Sequence, residues 1–424
     1  MKISSFIKKS LDKNILILMG GTLLSQLIPL AISPLLTRLF SPEEFGMFGV
    51  YFSITMIISV FITGRYEMAI ILPEEDKDAA NIVALSLLIT TLISGLLFFL
   101  VLVFKYPVSV LLKSPGIENK LFLLPVTMFA IGSYQTFNYW NNRKEKYKRL
   151  ALSRVTRSVN TSGASLVLGY TSFKSAGLIL GDTIGQSAAA LFLFFRTWKE
   201  HSSFFSHISK QGIIEQAKRF IRFPKFNVVS GLFEKMSGQF PVLMLSSFFG
   251  QAVTGWFSFS QRIISAPGAI IAKAVGDVFR QKANVEFIQN GNCKKMFINT
   301  FRQLSLLGLI PFALFFAFAP LLFKFLFGEK WVIAGEYSQI MTVMFYLQFV
   351  VSPLSNMFLI AGKQSLDLIM QLFLLLFVLL SFVSGSVIFN DPKICILLFT
   401  FVYSLKYLVE LYLSYNFSKG ENKL

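Results

Sequence analysis

Apolar runs of twenty or so residues, each closed by a turn or a charged loop, recur from one end of this chain to the other. No other feature narrows the fold as much. About 20 residues at 1.5 Å rise carry a helix across the ~30 Å hydrocarbon core, and lipid leaves only helices and closed barrels able to satisfy their own backbone. Runs fall at about 14–39, from the SPEEF turn to about 72, then at 80–104, 119–141, 150–170, 174–196, 224–250, 251–280, 300–323, 335–360, 365–388 and 394–416. Hydrophobic residues make up 54% of the 424 and charged residues 15%, too little polar surface for a soluble protein of this size. The expectation is an all-α integral membrane protein of twelve transmembrane helices in two six-helix bundles. Residues 1–196 form the N-terminal bundle, 197–223 a basic amphipathic cytoplasmic linker, and 224–424 the C-terminal bundle.

The first run, Asn14 to Leu39, follows the basic segment MKISSFIKKSLDK. It is longer than a signal-peptide core, lacks a small-residue cleavage site and contains Gln26, Pro29 and Pro34, so it reads as an uncleaved span. In the linker, Phe205, Ile208, Ile213, Ala217, Phe220 and Ile221 recur at helical spacing, with Lys210, Lys218, Arg219 and Arg222 opposite. A helix in the plane of the interface has this pattern, and so does a solvated connector. Loop charge tests the count of spans, because cytoplasmic loops collect Lys and Arg. With the N-terminus inside, inner segments hold 26 of the 40 basic residues and outer loops eight; Arg154, Arg157, Lys235, Arg262, Lys273 and Lys406 lie in the spans. A missed span would invert every later loop. Both termini are therefore expected in the cytoplasm.

The stretch Pro224 to Arg280 is apolar enough to form a membrane hairpin yet carries Glu234 and Lys235 near the middle of its first arm, and Arg262, Lys273 and Asp277 in its second. A charge at the centre of a lone lipid-facing helix costs roughly 2.5 to 3.5 kcal/mol, so such residues face a protein interior or a watery cavity. Catalytic signals are missing from the sequence. Cys293 and Cys395 match no zinc or redox spacing, and His201 and His207 are six apart in a polar loop, off a common helical face. Without a phosphate loop, nucleophile elbow or paired carboxylates, neither an enzyme nor a bound cofactor or metal is expected, and nothing points to nucleic acid.

The two halves resemble each other at their first hairpins. Phe40 to Ser53 (FSPEEFGMFGVYFS) aligns without gaps on Phe249 to Arg262 (FGQAVTGWFSFSQR), pairing Phe40 with Phe249, Gly46 with Gly255 and Phe48 with Phe257. Both copies start outside and run inward, so the repeat is parallel. The segment LTRLFSPEEFGMFGVYFSI, followed by RYEMAIILPEEDKDA, resembles the first hairpin of bacterial polysaccharide flippases. These are O-antigen type exporters of the lipopolysaccharide pathway, related to the lipid II flippase and to multidrug extruders. The resemblance implies transport of an undecaprenyl-diphosphate-linked oligosaccharide from the cytoplasmic to the periplasmic face of the inner membrane by alternating access. It further implies membrane lipids and a glycan polymerase machinery as partners.

Such a transporter needs fixed cations in a hydrated cavity, since a diphosphate does not cross hydrocarbon unaided. The candidate substrate ligands are Arg65, Arg154, Arg157, Lys235, Arg262 and Lys273, with Arg154 and Arg157 three apart on a face that Thr161 continues. Arg154 and Lys273 lie close enough to a membrane surface to snorkel instead. Glu67, Asp182, Glu234 and Asp277 are candidates for charge pairing or ion coupling, and Gln26, Asn160, Gln186 and Gln239 for sugar hydroxyls or helix contacts. Two alternatives stay open. A drug/cation antiporter of the same fold would want acids where this chain has bases, and a membrane-embedded polymerase or ligase would want a longer outer loop than 105–118.

Overall fold

The computed structural model of the chain describes residues 13–171, 173 and 176–420. The basic arm before residue 13, Lys174 and Lys423, which enter the loop charge count, lie outside the described residues, as do the side chains of His201 and Phe205. All regular structure among the described residues is helical. The first half carries α1 (Lys13–Leu39), α2 (Pro42–Ile58), α3 (Asp76–Leu111), α4 (Leu124–Arg143), α5 (Tyr147–Gly169), α6 (Gly177–Phe205) and the short α7 (Lys210–Arg219). The second carries α8 (Val228–Phe249), α9 (Gln251–Asn290), α10 (Lys294–Phe327), α11 (Val332–Val351), α12 (Met357–Ile360), α13 (Gln364–Val387) and α14 (Pro392–Ser418).

By length and composition, six of these can cross a membrane: Gly20–Leu39 of α1, α3, Gly177–Glu200 of α6, α10, α13 and α14. A seventh arises if Glu329–Val351 and Leu354–Ile360, bent by 47°, are one span. The protein is thus an all-helical, multi-pass membrane protein. Helices α5 and α9 fall short on apolarity because of the arginines, lysines and amides inside them, the residues that mark a polar interior.

Local chemistry sets the ends. Ser41 and Glu44 form a reciprocal capping box around Pro42, the Ser41 N–H donating to Glu44 Oε2 at 2.8 Å and the Glu44 N–H to Ser41 Oγ at 3.4 Å. Asp391 caps α14 by accepting from the Lys393 N–H at 2.7 Å. The second apolar run is not one helix to residue 72. It breaks after Ile58, passes through Gly64 and Arg65 with φ of 60° and 62°, and ends in a 3-10 turn over Tyr66–Ile71. Conversely, α6 runs on to Phe205, since TWKEHSSFF contains no breaker, and α9 runs past Arg280 to Asn290, where Gly291 ends it at φ 70°.

The chain divides into two compact units, Met1–Phe40 with Val50–Lys235, and Ser41–Gly49 with Met236–Leu424. In the first, α5 packs against both α1 and α6, and α4 against α3 and α6. Helix α7 lays Ile213 and Ala217 on the cluster of Tyr66, Ala69, Ile70 and Ile82. Tyr66 Oη donates to the Ala217 carbonyl at 3.0 Å and the Ser209 N–H to Asn81 Oδ1 at 3.0 Å. Ile213 and Ala217 of the linker's apolar face therefore cover protein, whereas Ile208 and Ile221 are exposed.

In the second unit, α11 packs against α9, α10 and α14, and α13 against α14. Residues 41–49 cross the start of α9 backbone against backbone. A Cβ on Gly46 would collide with the Gln251 carbonyl oxygen, and one on Gly255 with the Pro42 carbonyl oxygen. Phe45 closes this crossing, its ring 5.3 Å from Phe259 and 4.9 Å from Trp331.

Candidate substrate site

The polar sequence of α5 is laid between α1 and α6, so its arginines end up inside the first unit. Arg154 and Arg157 leave the helix in different directions. Arg154 Nη1 donates to Thr22 Oγ1 of α1, one turn from Ser158 Oγ, which donates to the Ser25 carbonyl at 2.5 Å. Arg157 Nη2 instead stands 3.8 Å from Asp182 Oδ1 of α6, with the arginine side chain 35% exposed and the acid 7%. Beside that acid, Tyr51 Oη and Thr127 Oγ1 are 2.7 Å apart, and Thr127 Oγ1 and Thr183 Oγ1 2.8 Å. Gln186, one turn along α6, is buried. Asp182 thus has a cation and a hydroxyl chain around it, and Arg157 is the member that reaches open space.

A second cluster forms at the break after α2. The left-handed backbone of Arg65 is uncommon for a residue with a side chain, and such positions gather at functional sites. Its guanidinium lies against Gly231 of α8, where a Cβ would collide with Nη2. Arg65 Nε is buried with no hydrogen-bond partner among the described residues. Glu67 is 2% exposed, and Thr63 Oγ1 donates to its Oε2. Gly231 and Lys235 are one turn apart on one face of α8, so Arg65 abuts the turn that carries Lys235. Lys235 Nζ lies 3.1 Å from Glu234 Oε1. Adjacent helical positions point ~100° apart, an angle that suggests the neighbours do not neutralise each other; their flexible arms close the gap, and they do pair.

In the second unit, Arg262 is exposed on α9. Lys273 and Asp277, a turn apart, line a cavity of about 270 Å³ with Gln348, Ser352, Asn356 and Phe349. Asp277 Oδ1 also lies 3.7 Å from Arg280 Nη2. Of the sugar-hydroxyl candidates, Asn160 Nδ2 donates to its own helix at Thr156 O, 2.8 Å away, and Gln26 Oε1 is buried without a partner among the described residues. No cluster of three metal-ligating side chains occurs among the described residues. Two features escaped the sequence reading: Gly231, signalled only as a lone glycine a turn before Glu234 and Lys235, and Glu410, signalled by its i,i+4 spacing from Lys406.

Residues 35–335 match the profile of a family described as polysaccharide biosynthesis protein. No curated protein sequence matches the chain. Among solved structures, the lipid II flippase MurJ in an inward closed conformation superposes with a TM-score of 0.71 at 14% identity, over 94% of this chain and 87% of that one. The MATE multidrug transporter DinF-BH gives 0.64 at 14%, over 95% and 94%. A MOP superfamily transporter from Pyrococcus furiosus gives 0.60 at 16%, over 95% and 94%. These likenesses show a shared fold, and the proteins that share it are transporters and flippases. With the family profile matched over most of its length, the chain belongs to the polysaccharide biosynthesis protein family.

Proposed function

We propose that this protein is a flippase, moving an undecaprenyl-diphosphate-linked oligosaccharide from the cytoplasmic to the periplasmic face of the inner membrane by alternating access. It has twelve spans in two six-helix bundles, an internal parallel repeat, and both termini in the cytoplasm. The observation that carries the reading is Arg65, a cation held by a left-handed backbone in a cleft that only glycine at 231 leaves open, with a buried Nε that lacks a partner among the described residues. A phosphate oxygen supplies the missing acceptor, and a guanidinium binds phosphate in bidentate fashion. Arg157 adds a second reachable cation, and Lys235 a third beside Arg65. The repeat draws support from the crossing of α2 and α9. Pro42 aligns with Gln251 and Gly46 with Gly255, and the contacts Gly46–Gln251 and Gly255–Pro42 are images of one another under that alignment.

A drug/cation antiporter of this fold needs free acids for its cargo, whereas Asp182 faces Arg157 and the carboxylate of Glu67 is held by Thr63 beside Arg65. The test is surface glycan display in cells carrying Arg65→Ala or Arg157→Ala. Loss of display at normal protein abundance is expected, with partial display for Arg65→Lys, which keeps the charge and loses the fork. Reduced abundance restored by Glu67→Gln or Asp182→Asn would assign these arginines to ion pairing instead.

A further inference from the structure

Helix α14 contains a buried ion pair that the candidate substrate site does not use. Within a segment apolar enough to cross a bilayer, Lys406 Nζ lies 2.8 Å from Glu410 Oε2, and the two side chains are 14% and 5% exposed. The ammonium also stands 4.5 Å from the centroid of the Tyr407 ring. Along the same inward face, Thr400, Ser404, Tyr407, Glu410 and Ser414 recur every three or four residues, a line down one side of a helix. The hydroxyl oxygens of Thr400, Ser404 and Ser414 are buried and have no hydrogen-bond partner among the described residues. Buried hydroxyls without protein partners are ordinarily satisfied by water. From Thr400 to Ser414 the helix rises ~21 Å, most of the ~30 Å hydrocarbon core.

A purely structural role accounts for this poorly. A buried ion pair adds little stability over apolar side chains of similar volume, and it has no need of a row of open hydroxyls. Ionisable residues inside a span mark ion or proton pathways unless another use is shown.

We propose that Glu410 is a proton-carrying group, with Lys406 as its fixed counter-charge and the α14 hydroxyls holding the water through which the proton arrives. A hydronium in that row gives its proton to a Glu410 carboxylate oxygen and becomes water; the new O–H bond takes the pair from net neutral to one positive charge. Release reverses the same step. Among the described residues, the charged and titratable groups around Glu410 are Lys406 and Tyr407 of its own helix and Asp367 of α13, with Tyr403 next to Tyr407. Tyr403 Oη donates to the Ser237 carbonyl of α8 at 3.2 Å, which holds the upper part of the row in place. Only what the proton drives rests on the flippase reading; the site itself does not.

Difference infrared spectroscopy of the intact protein in liposomes, with pH stepped from mildly alkaline to mildly acid, tests this without any substrate. A carboxylic C=O band should appear on acidification and be lost in Glu410→Gln. It should also be lost in Lys406→Met with Glu410→Gln, which removes both charges and so keeps the fold if the single change does not. Ser414→Val should slow the band's appearance after a pH jump and leave its amplitude unchanged. A wild-type protein in which no such band titrates, or a band that persists in the folded double variant, overturns the proposal. Failure of the lipid-linked substrate reading would leave the band untouched, so the two outcomes are separable.

Discussion

Cys293 sits at the start of α10 with its side chain fully buried, its Sγ donating to Met357 Sδ at 3.5 Å. A helix N-terminus lowers a thiol pKa, but here burial dominates and, with the charge of Glu286, pushes the thiol up to about 11. At neutral pH its thiolate population is then on the order of 100-fold below that of an unshifted cysteine, so alkylation of the folded protein should be slower by at least that factor. Mass spectrometry after iodoacetamide treatment would show it: no adduct in the native state, and full labelling after denaturation. Rapid native labelling would mean the cluster of Phe279, Phe297 and Met357 around it opens. That Cys293 and Cys395 lie far apart in the chain, off any zinc or redox spacing, was legible from the sequence. The pairing of Lys235 with Glu234 was not, because helical angle describes where a side chain starts and says little about where four or five rotatable bonds bring it. The divergence of Arg154 and Arg157 is the same lesson: a shared helical face does not fix a shared partner when helices flank the face on two sides.

At the scale of elements, the tightest constraint is the crossing of α2 and α9. Replacing Gly255 by Val puts a branched side chain where the Pro42 carbonyl stands, and overpacking of this kind costs about 1–3 kcal/mol or more when the obstacle is backbone. Gly255→Val should lower the melting temperature of detergent-solubilised protein by several degrees, whereas Gly20→Val, with nothing nearby to meet, should leave it unchanged. Equal effects at the two sites would remove the crossing from any structural role. The positions of the long apolar helices could be read from composition because lipid exposure demands it. Their ends were harder. The break after Ile58 carries no Pro or Gly pair to announce it, only Gly64 and an arginine in the left-handed region, so the run looked continuous to Pro73. Helix α9 was cut short in the reading because charge after Arg280 resembles a loop, although nothing there stops a helix before Gly291.

For the whole molecule, orientation follows from charges that touch. Asp76, where α3 begins, lies 3.1 Å from Arg143 Nε and also binds Lys144, where α4 ends. Glu200, near the end of α6, binds Lys146 and Arg149, where α5 begins. Asp78 lies 3.7 Å from Arg219 at the end of α7. Ion pairs a few ångströms long cannot bridge a bilayer, so these segments share one side. Because α3 and α4 meet it at opposite chain directions, the connection between them lies on the other side, where Ser109 Oγ donates to Glu118 Oε2 at 2.8 Å. In the orientation proposed above, with the basic loops inside, the first of these sides is the cytoplasmic one. Reporter fusions at Lys146 and Lys210 should therefore read cytoplasm and a fusion at Lys113 periplasm. In the twelve-span arrangement proposed above, Asp391, between α13 and α14, should also read periplasm. The four readings separate two failures. A cytoplasmic signal at Lys113 would contradict the ion-pair geometry of the first unit. A cytoplasmic signal at Asp391 alone would leave that unit intact and change the number of spans between Lys210 and α14, the interval in which α8 and α9 are not among the clear spans and the α11–α12 segment is bent by 47°.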